Sequence, residues 1–248
     1  MTDLHHDVCG TGPVLLVLPG GAGHPMGLDR MTHVLSSRFT VVTFDPVGLA
    51  HGRLGQPVPD QRVEDWSEGA HRLLEAVLPE GGTAAVLGMS SGGIAALDLL
   101  ARHPRRLRHV VAHEPPVVRL LPDGAGHRAS LLREVGDPPP GGEQLTTPME
   151  VFRARVVRPF TAYAPDLDAL RAASARLTLA AGAASRGHLL HRTAAFLAER
   201  TGGAFAEFPG GHLGPLEHPE QFAERVAAAL SGSAAADGGS PCPHLQES

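Results

Sequence analysis

Thr83-Ala84-Ala85-Val86-Leu87-Gly88-Met89-Ser90-Ser91-Gly92-Gly93-Ile94 is the stretch on which the reading of this chain turns. Thr83–Leu87 is a brief apolar run of the kind that forms a strand buried on both faces of a parallel sheet. From Gly92 to His103 the apolar residues Ile94, Leu97, Leu100 and Ala101 fall at the helical repeat. Between strand and helix lies Gly88-Met89-Ser90-Ser91-Gly92, the pattern G-x-S-x-G. A sharp strand-to-helix turn exposes the serine oxygen at the carboxyl end of the sheet, and the flanking glycines relieve crowding around it. The helix N-terminus beside it favours developing negative charge. Ser90 is therefore the candidate nucleophile. With 30 glycines in the chain, short glycine patterns also arise by chance. A glycine-rich turn that merely caps a helix is the plainer alternative, which the strand before and the helix after disfavour.

The same alternation continues on either side. Val14–Leu18, Thr40–Phe44, Leu107–Ala112, Leu177–Ala181 and Ala204–Phe208 are further short apolar runs. Gly27–Ser37, Val63–Leu78, Gly187–Arg200 and Pro219–Leu230 are helical patterns between or after them. The expected fold class is α/β, an open and mostly parallel sheet with helices on both faces. Leu4–Cys9, followed by the Gly10-Thr11-Gly12-Pro13 turn, is expected to add an antiparallel edge strand. The rhythm breaks between Pro115 and Ser174, where no strand-like run occurs. Two helical patterns, Arg128–Glu134 and Met149–Tyr163, flank the Pro/Gly-rich link Gly136–Gly142. A structureless loop of that length is improbable inside a compact domain. The division is therefore a core of residues 1–114 and 175–230, a small helical cap at 115–174, and a small polar tail at 231–248 expected to be disordered.

Two further segments bear on acyl transfer. Leu18-Pro19-Gly20-Gly21-Ala22-Gly23 follows an early strand, where a glycine-rich loop supplies a backbone N–H to a developing oxyanion. Gly21 is the candidate donor there, with the Ser91 N–H as its partner. A phosphate-binding loop is the competing reading, but the segment lacks G-x-G-x-x-G spacing and a P-loop lysine. Pro209-Gly210-Gly211-His212 follows the last strand and returns to the same sheet edge. His212 is the candidate general base, one of 15 histidines but the one at this topological position. His24, His51 and His113 sit on loops that border the same edge. His188 and His191, three apart, invite a metal reading, but no carboxylate or cysteine partner is evident and a solvated helix face explains them better. Asp98, inside the helix after Ser90, reads as structural.

With these residues in place the chain resembles the α/β-hydrolase superfamily from about Leu4 to Leu230. Asp45-Pro46-Val47-Gly48-Leu49-Ala50-His51-Gly52 is similar to its D-x-R-G-x-G-x-S loop, with Val47 in place of arginine. Gly211-His212-Leu213-Gly214-Pro215-Leu216-Glu217-His218-Pro219 is similar to its G-H-x-x-x-x-E-x-P ending. The resemblance implies a Ser-His-acid triad, and here the chain departs from the common pattern. The usual acid follows the penultimate strand in a G-x-x-D segment, which reads Gly182-Ala183-Ala184-Ser185 in this chain. A neutral serine cannot stabilise an imidazolium as an anion does. Glu114 lies just beyond the strand before the cap, where some members, including certain haloalkane dehalogenases, carry their acid. The expected catalytic set is Ser90, His212 and Glu114, with salt-bridging to the cap as the competing role for Glu114. Met149, Phe152, Phe160 and Tyr163 of the cap are candidate pocket residues, with ordinary core packing equally open to them.

Composition sets bounds on the rest. Apolar residues make up 42% and charged residues 19% of 248 residues, ordinary for a globular domain able to bury a full core. A net charge of −5 gives no attraction to nucleic acid or an anionic membrane. Cys9 and Cys242 do not suggest a disulfide framework. Neither a leader peptide nor an apolar run of roughly 20 residues is evident. The expectation is a cytoplasmic enzyme, monomer or homodimer, with a small-molecule substrate, no cofactor and no metal. It would hydrolyse a carboxylic ester, thioester or lactone through an acyl-Ser90 intermediate. A non-hydrolytic or carbon–carbon bond-cleaving catalyst on this fold, or a hydrolase-like receptor, remains open.

Overall fold

A computed structural model describes residues 4–136 and 144–232 of the chain. Seven strands form one sheet: β1 His6–Cys9, β2 Val14–Leu18, β3 Thr40–Phe44, β4 Ala84–Met89, β5 Leu107–His113, β6 Leu177–Gly182 and β7 Ala204–Phe208. Their spatial order is β1-β3-β2-β4-β5-β6-β7. β1 runs antiparallel to β3, and every other pairing is parallel. This is the α/β-hydrolase fold. β4 and β5 lie at the centre, so the segments that leave their carboxyl ends emerge in the middle of one sheet edge.

Strand alternation sorts the core into two layers. Leu16, Leu18, Val42, Phe44, Ala84 and Val86 face one side. Leu15, Val17, Val41, Ala85 and Leu87 face the other, as period-two side chains must. The helices in chain order are α1 Asp29–Leu35, α2 Val63–Val77, α3 Ser91–Arg102, α4 Gly124–Val135, α5 Pro148–Val151, α6 Val157–Ala162, α7 Leu167–Ala172, α8 Leu189–Thr201, α9 Gly214–Glu217 and α10 Pro219–Gly232. α2 buries Val63, Trp66, Ala70, Leu73 and Leu74, an apolar stripe at helical spacing. With α3 and α8 it covers the first face; α1 and α10 cover the second through Met31, Leu35, Phe222 and Val226. No helix among the described residues is long and apolar enough to cross a membrane.

Between β5 and β6 the described residues form helices and no strand, in line with their lack of strand-like runs. α5 starts at a capping box: the Glu150 N–H donates to Thr147 Oγ1 at 3.2 Å, and the Glu150 carboxylate accepts from the Thr147 N–H at 3.0 Å. A π-helical segment, Phe152–Val156, joins α5 to α6. The sequence reading has no counterpart for α7, whose signal is Asp166, an N-cap accepting from the Asp168 and Ala169 N–H groups at 3.0 Å each. Val151, Val156, Phe160 and Leu170 share one cluster with Leu16 and Trp66, so these helices bury side chains in the sheet's own core. Most of the expected Gly136–Gly142 link lies outside the described residues; Gly136 ends α4. Of the expected disordered tail, 231–232 continue α10, and the remainder lies outside the described residues.

Two of the expected pocket residues belong to this core. Phe160 is buried against Trp66, edge to face with ring centroids 4.7 Å apart. The Tyr163 hydroxyl donates to Asp98 Oδ1 at 2.5 Å. Asp98 Oδ2 accepts from the Ser67 hydroxyl and, at 3.4 Å, from Arg102 Nη1. Burial and the Asp98 carboxylate push the Tyr163 phenol well above its ordinary pKa, which keeps it a donor. Asp98 is thus the structural residue expected, and it ties the segment after α6 to α3. Tyr163→Phe is expected to lower the unfolding free energy by about 1–3 kcal/mol, because Asp98 stays buried with one donor fewer. Urea denaturation of the two proteins checks this; equal midpoints and slopes would show that the hydroxyl contributes nothing.

Candidate active site

β4 is followed at once by Ser90, whose backbone sits at φ 51°, ψ −118°. Its N–H donates to the His113 carbonyl at 2.9 Å, so the turn is pinned to the end of β5. The glycines around it are required by close approach. A Cβ on Gly92 would stand 2.1 Å from the Leu18 carbonyl oxygen, and one on Gly88 would stand 2.5 Å from that of Gly92. α3 begins at Ser91, whose N–H is among the first-turn donors without an intrahelical acceptor. The loop after β2 lies directly against this turn: a Cβ on Gly20 would be 3.1 Å from that of Ser90. A tight turn closed by the Gly23 N–H on the Gly20 carbonyl at 2.9 Å carries Gly21 at φ +58°.

β5 ends at His113, and Glu114 follows at φ 45°. The Glu114 N–H donates to the Ala180 carbonyl of β6 at 2.9 Å. Its carboxylate is fully buried. Oε1 accepts from the Gly182 N–H at 3.0 Å, and Oε2 accepts from His212 Nδ1 at 2.8 Å. An ionised carboxylate only accepts, so the proton of the neutral imidazole sits on Nδ1 and Nε2 is left as the basic nitrogen. Burial alone would push the Glu114 carboxyl up. The hydrogen bonds from His212, the Ser185 hydroxyl and the Gly182 N–H, with a smaller contribution from His113, outweigh it and hold the group well below the ordinary carboxylate range. Ser185 therefore stands beside the carboxylate rather than replacing it.

Ser90, His212 and Gly21 line one pocket of about 350 Å³. Gly20, Ala22, His24, Met26 and Leu28 line it from the β2 side, Met89 from the end of β4, and Pro148, Met149 and Phe152 from around α5. Leu213, Pro215 and Leu216 close it from the segment after His212. Of the four cap residues singled out in the sequence, Met149 and Phe152 are in the lining and Phe160 and Tyr163 are not. Leu213, Leu216 and Met26 escaped the sequence reading, although their nearness in sequence to His212 and to the glycine loop was a usable signal. Of the three bordering histidines, His24 is in the lining. His51 lies in the loop after β3, its Nδ1 3.0 Å from Asp45 Oδ2. That hydrogen bond, with the Asp7 and Asp45 charges, outweighs partial burial and raises the His51 pKa. His113 is wholly buried behind the site, edge-on to Phe222 with centroids 5.0 Å apart, and burial holds its pKa far down and its ring neutral. His188 precedes α8 as its N-cap residue, and His191 Nε2 lies 3.4 Å from Glu207 Oε1.

No family model matches the chain. It is 29% identical over 248 residues to an uncharacterised hydrolase, YraK, of Bacillus subtilis (strain 168), covering 90% of this chain and 91% of that one. Among solved structures, a thermophilic esterase from Thermogutta terrifontis superposes with a TM-score of 0.68 at 20% identity, covering 93% of each chain. Est816, described as an N-acyl homoserine lactone degrading enzyme, superposes with a TM-score of 0.66 at 20% identity over 91% of this chain and 96% of its own. These superpositions agree with the strand order in giving the chain the α/β-hydrolase fold.

In this fold the Glu114–His212 contact also has a stability consequence. Glu114 has a folded pKa below its ordinary 4.5, so the unfolded chain binds more protons in that range. Its contribution is complete above pH 4.5 and declines as pH falls toward the lowered folded value. Glu114→Gln is expected to cost about 1.5–3 kcal/mol at pH 7, the range for hydrogen bonds to a charged group, and the deficit should narrow below pH 4.5. Chemical denaturation of both proteins between pH 4.5 and pH 3 checks the sign; a gap that widens as pH falls through this window would contradict it.

Proposed function

We propose that the enzyme hydrolyses carboxylic esters, thioesters or lactones of small molecules through an acyl-Ser90 intermediate. One observation carries this reading. Among the described residues, Ser90 and Glu114 are the non-glycine positions with positive φ, and Glu114 holds the histidine that shares a pocket with Ser90. Backbone strain of this kind costs on the order of 1–3 kcal/mol per residue and persists where surrounding structure enforces a working geometry.

The steps follow from the groups present. His212 Nε2 takes the Ser90 hydroxyl proton as the oxygen attacks the substrate carbonyl carbon. The carbonyl π electrons move onto oxygen, and the N–H groups of Gly21 and Ser91 hold the resulting oxyanion. Glu114, ionised and dry, stabilises the imidazolium. The tetrahedral adduct collapses, the alkoxide or thiolate leaves with the His212 proton, and the acyl group stays on Ser90. Water, deprotonated by His212, then repeats the addition; the acid departs and Ser90 regains its proton. In a lactone the leaving alcohol and the acid remain one molecule. An esterase and a lactone-degrading enzyme among the structural neighbours accord with this substrate range.

A fluorophosphonate probe should label Ser90, and Ser90→Ala should abolish labelling and reduce kcat/KM by on the order of 10⁴ to 10⁶. Glu114→Gln should cost less, roughly 10² to 10⁴, since oxyanion donors and binding remain. In that background Ser185→Asp should restore part of the rate, because position 185 adjoins the same carboxylate site. Peptide mapping of the labelled protein decides the first point, and labelling elsewhere would overturn it. Trapping of an acyl-Ser90 adduct by mass spectrometry separates this mechanism from chemistry on the same fold that forms no acyl-enzyme.

A further inference from the structure

The pocket beside Ser90 also carries information about the substrate, granted the reading that Ser90 and His212 act on a carbonyl. We infer that the acyl group accepted here is uncharged and apolar. Among the described residues, no Asp, Glu, Arg or Lys side chain lines the pocket; Ser90, His212 and His24 are its polar side chains. The Nδ1 of His24 accepts the Met26 N–H at 3.0 Å, leaving Nε2 to carry its proton as a single donor. A carboxylate on the acyl chain would lose its water there and gain no guanidinium in return. Burying an unpaired charge is costly enough to dominate binding.

The floor and rim agree with this. Ala22, Leu28 and Met89 are all under one-tenth exposed and present only carbon and sulfur. At about 350 Å³ the cavity is near the small end for ligand sites, so a short acyl chain fills it. The mouth is where apolar surface is left uncovered: Met26 is 69% exposed, Met149 56%, Leu213 54% and Leu216 43%. Among the described residues the other large exposed apolar side chains, Val8, Leu54 and Phe205, do not line this pocket. Apolar residues gathered at one rim mark a binding surface, where scattered ones would not. Three of the chain's five methionines, Met26, Met89 and Met149, meet here. Their unbranched thioethers adapt to chains of different shape, so selection acts on charge more than on outline.

The test uses two esters alike except for one carboxylate, ethyl butanoate and monoethyl butanedioate, followed by pH-stat with the whole chain. Ethyl butanoate is expected to have a kcat/KM about 30-fold higher or more, with most of the difference in KM. Binding of the same two esters to Ser90→Ala, read by ligand-observed NMR, is expected to rank them in the same order without any turnover. Equal or better performance of the carboxylate ester in either measurement would overturn the inference while leaving Ser90 catalysis intact. If wild type cleaves neither ester and the fluorophosphonate leaves Ser90 unlabelled, the catalytic reading fails instead. The NMR ranking still decides the pocket's preference for charge.

Discussion

Ser90 is held in a backbone conformation that an isolated chain would avoid, and much of the site is arranged around keeping it there. β4 is buried along its whole length between β2 and β5, so the strand cannot yield. The Ser90 N–H is taken by the His113 carbonyl, and α3 presses so close to the end of β2 that position 92 has no room for a side chain. These contacts are backbone to backbone. They position the serine, the glycine loop after β2 and the helix N-terminus as one unit. Side-chain packing elsewhere in the core offsets the strain, since each core layer buries many apolar residues completely.

The Glu114–His212 contact shows how neighbouring strand ends can reach one histidine. β5 and β6 are adjacent and parallel, and the Glu114 N–H bonds to the Ala180 carbonyl. The segment after β6 therefore lies alongside the segment after β5, and His212 arrives above both. A carboxylate extended from either strand end reaches the same ring. In this chain the residue after β5 supplies it, and Ser185 at the other end contributes a hydroxyl that helps hold the charge. The departure that weakened the sequence pattern is a redistribution of roles between neighbouring strand ends.

The strands and the Ser90 turn were legible because their signals are local: Val-rich runs, G-x-S-x-G, and glycine before histidine. Which face a cap residue presents was not. Phe152 and Phe160 both fall in the helical pattern Met149–Tyr163 and both read as candidate pocket residues. The π-helical segment Phe152–Val156 interrupts that pattern. Phe152 lines the pocket, while Phe160 is buried in the core against Trp66. Nothing in residue periodicity announces a π turn. Glu114 became legible only through the family resemblance, which allows an acid after this strand when Ser185 stands at the commoner position, because a carboxylate after a strand has many ordinary uses.

The turn that carries His212 also carries two members of the pocket rim. The Gly214 N–H bonds to the Gly211 carbonyl at 3.0 Å, and the Leu216 N–H to the Leu213 carbonyl at 2.8 Å. These bonds make 211–216 a compact unit, with the imidazole at one end and Leu213 and Leu216 on the pocket. Any change that loosens it moves the imidazole and half of the apolar mouth together. Met26 and Met149 come from other loops and touch neither the Glu114 carboxylate nor its hydrogen bonds. The Met26 and Met149 wall of the pocket can therefore change without moving the His212 ring, whereas the Leu213 and Leu216 wall is mechanically joined to it. A pocket built from the ends of several strands has walls that are independent only as far as its loops are separate.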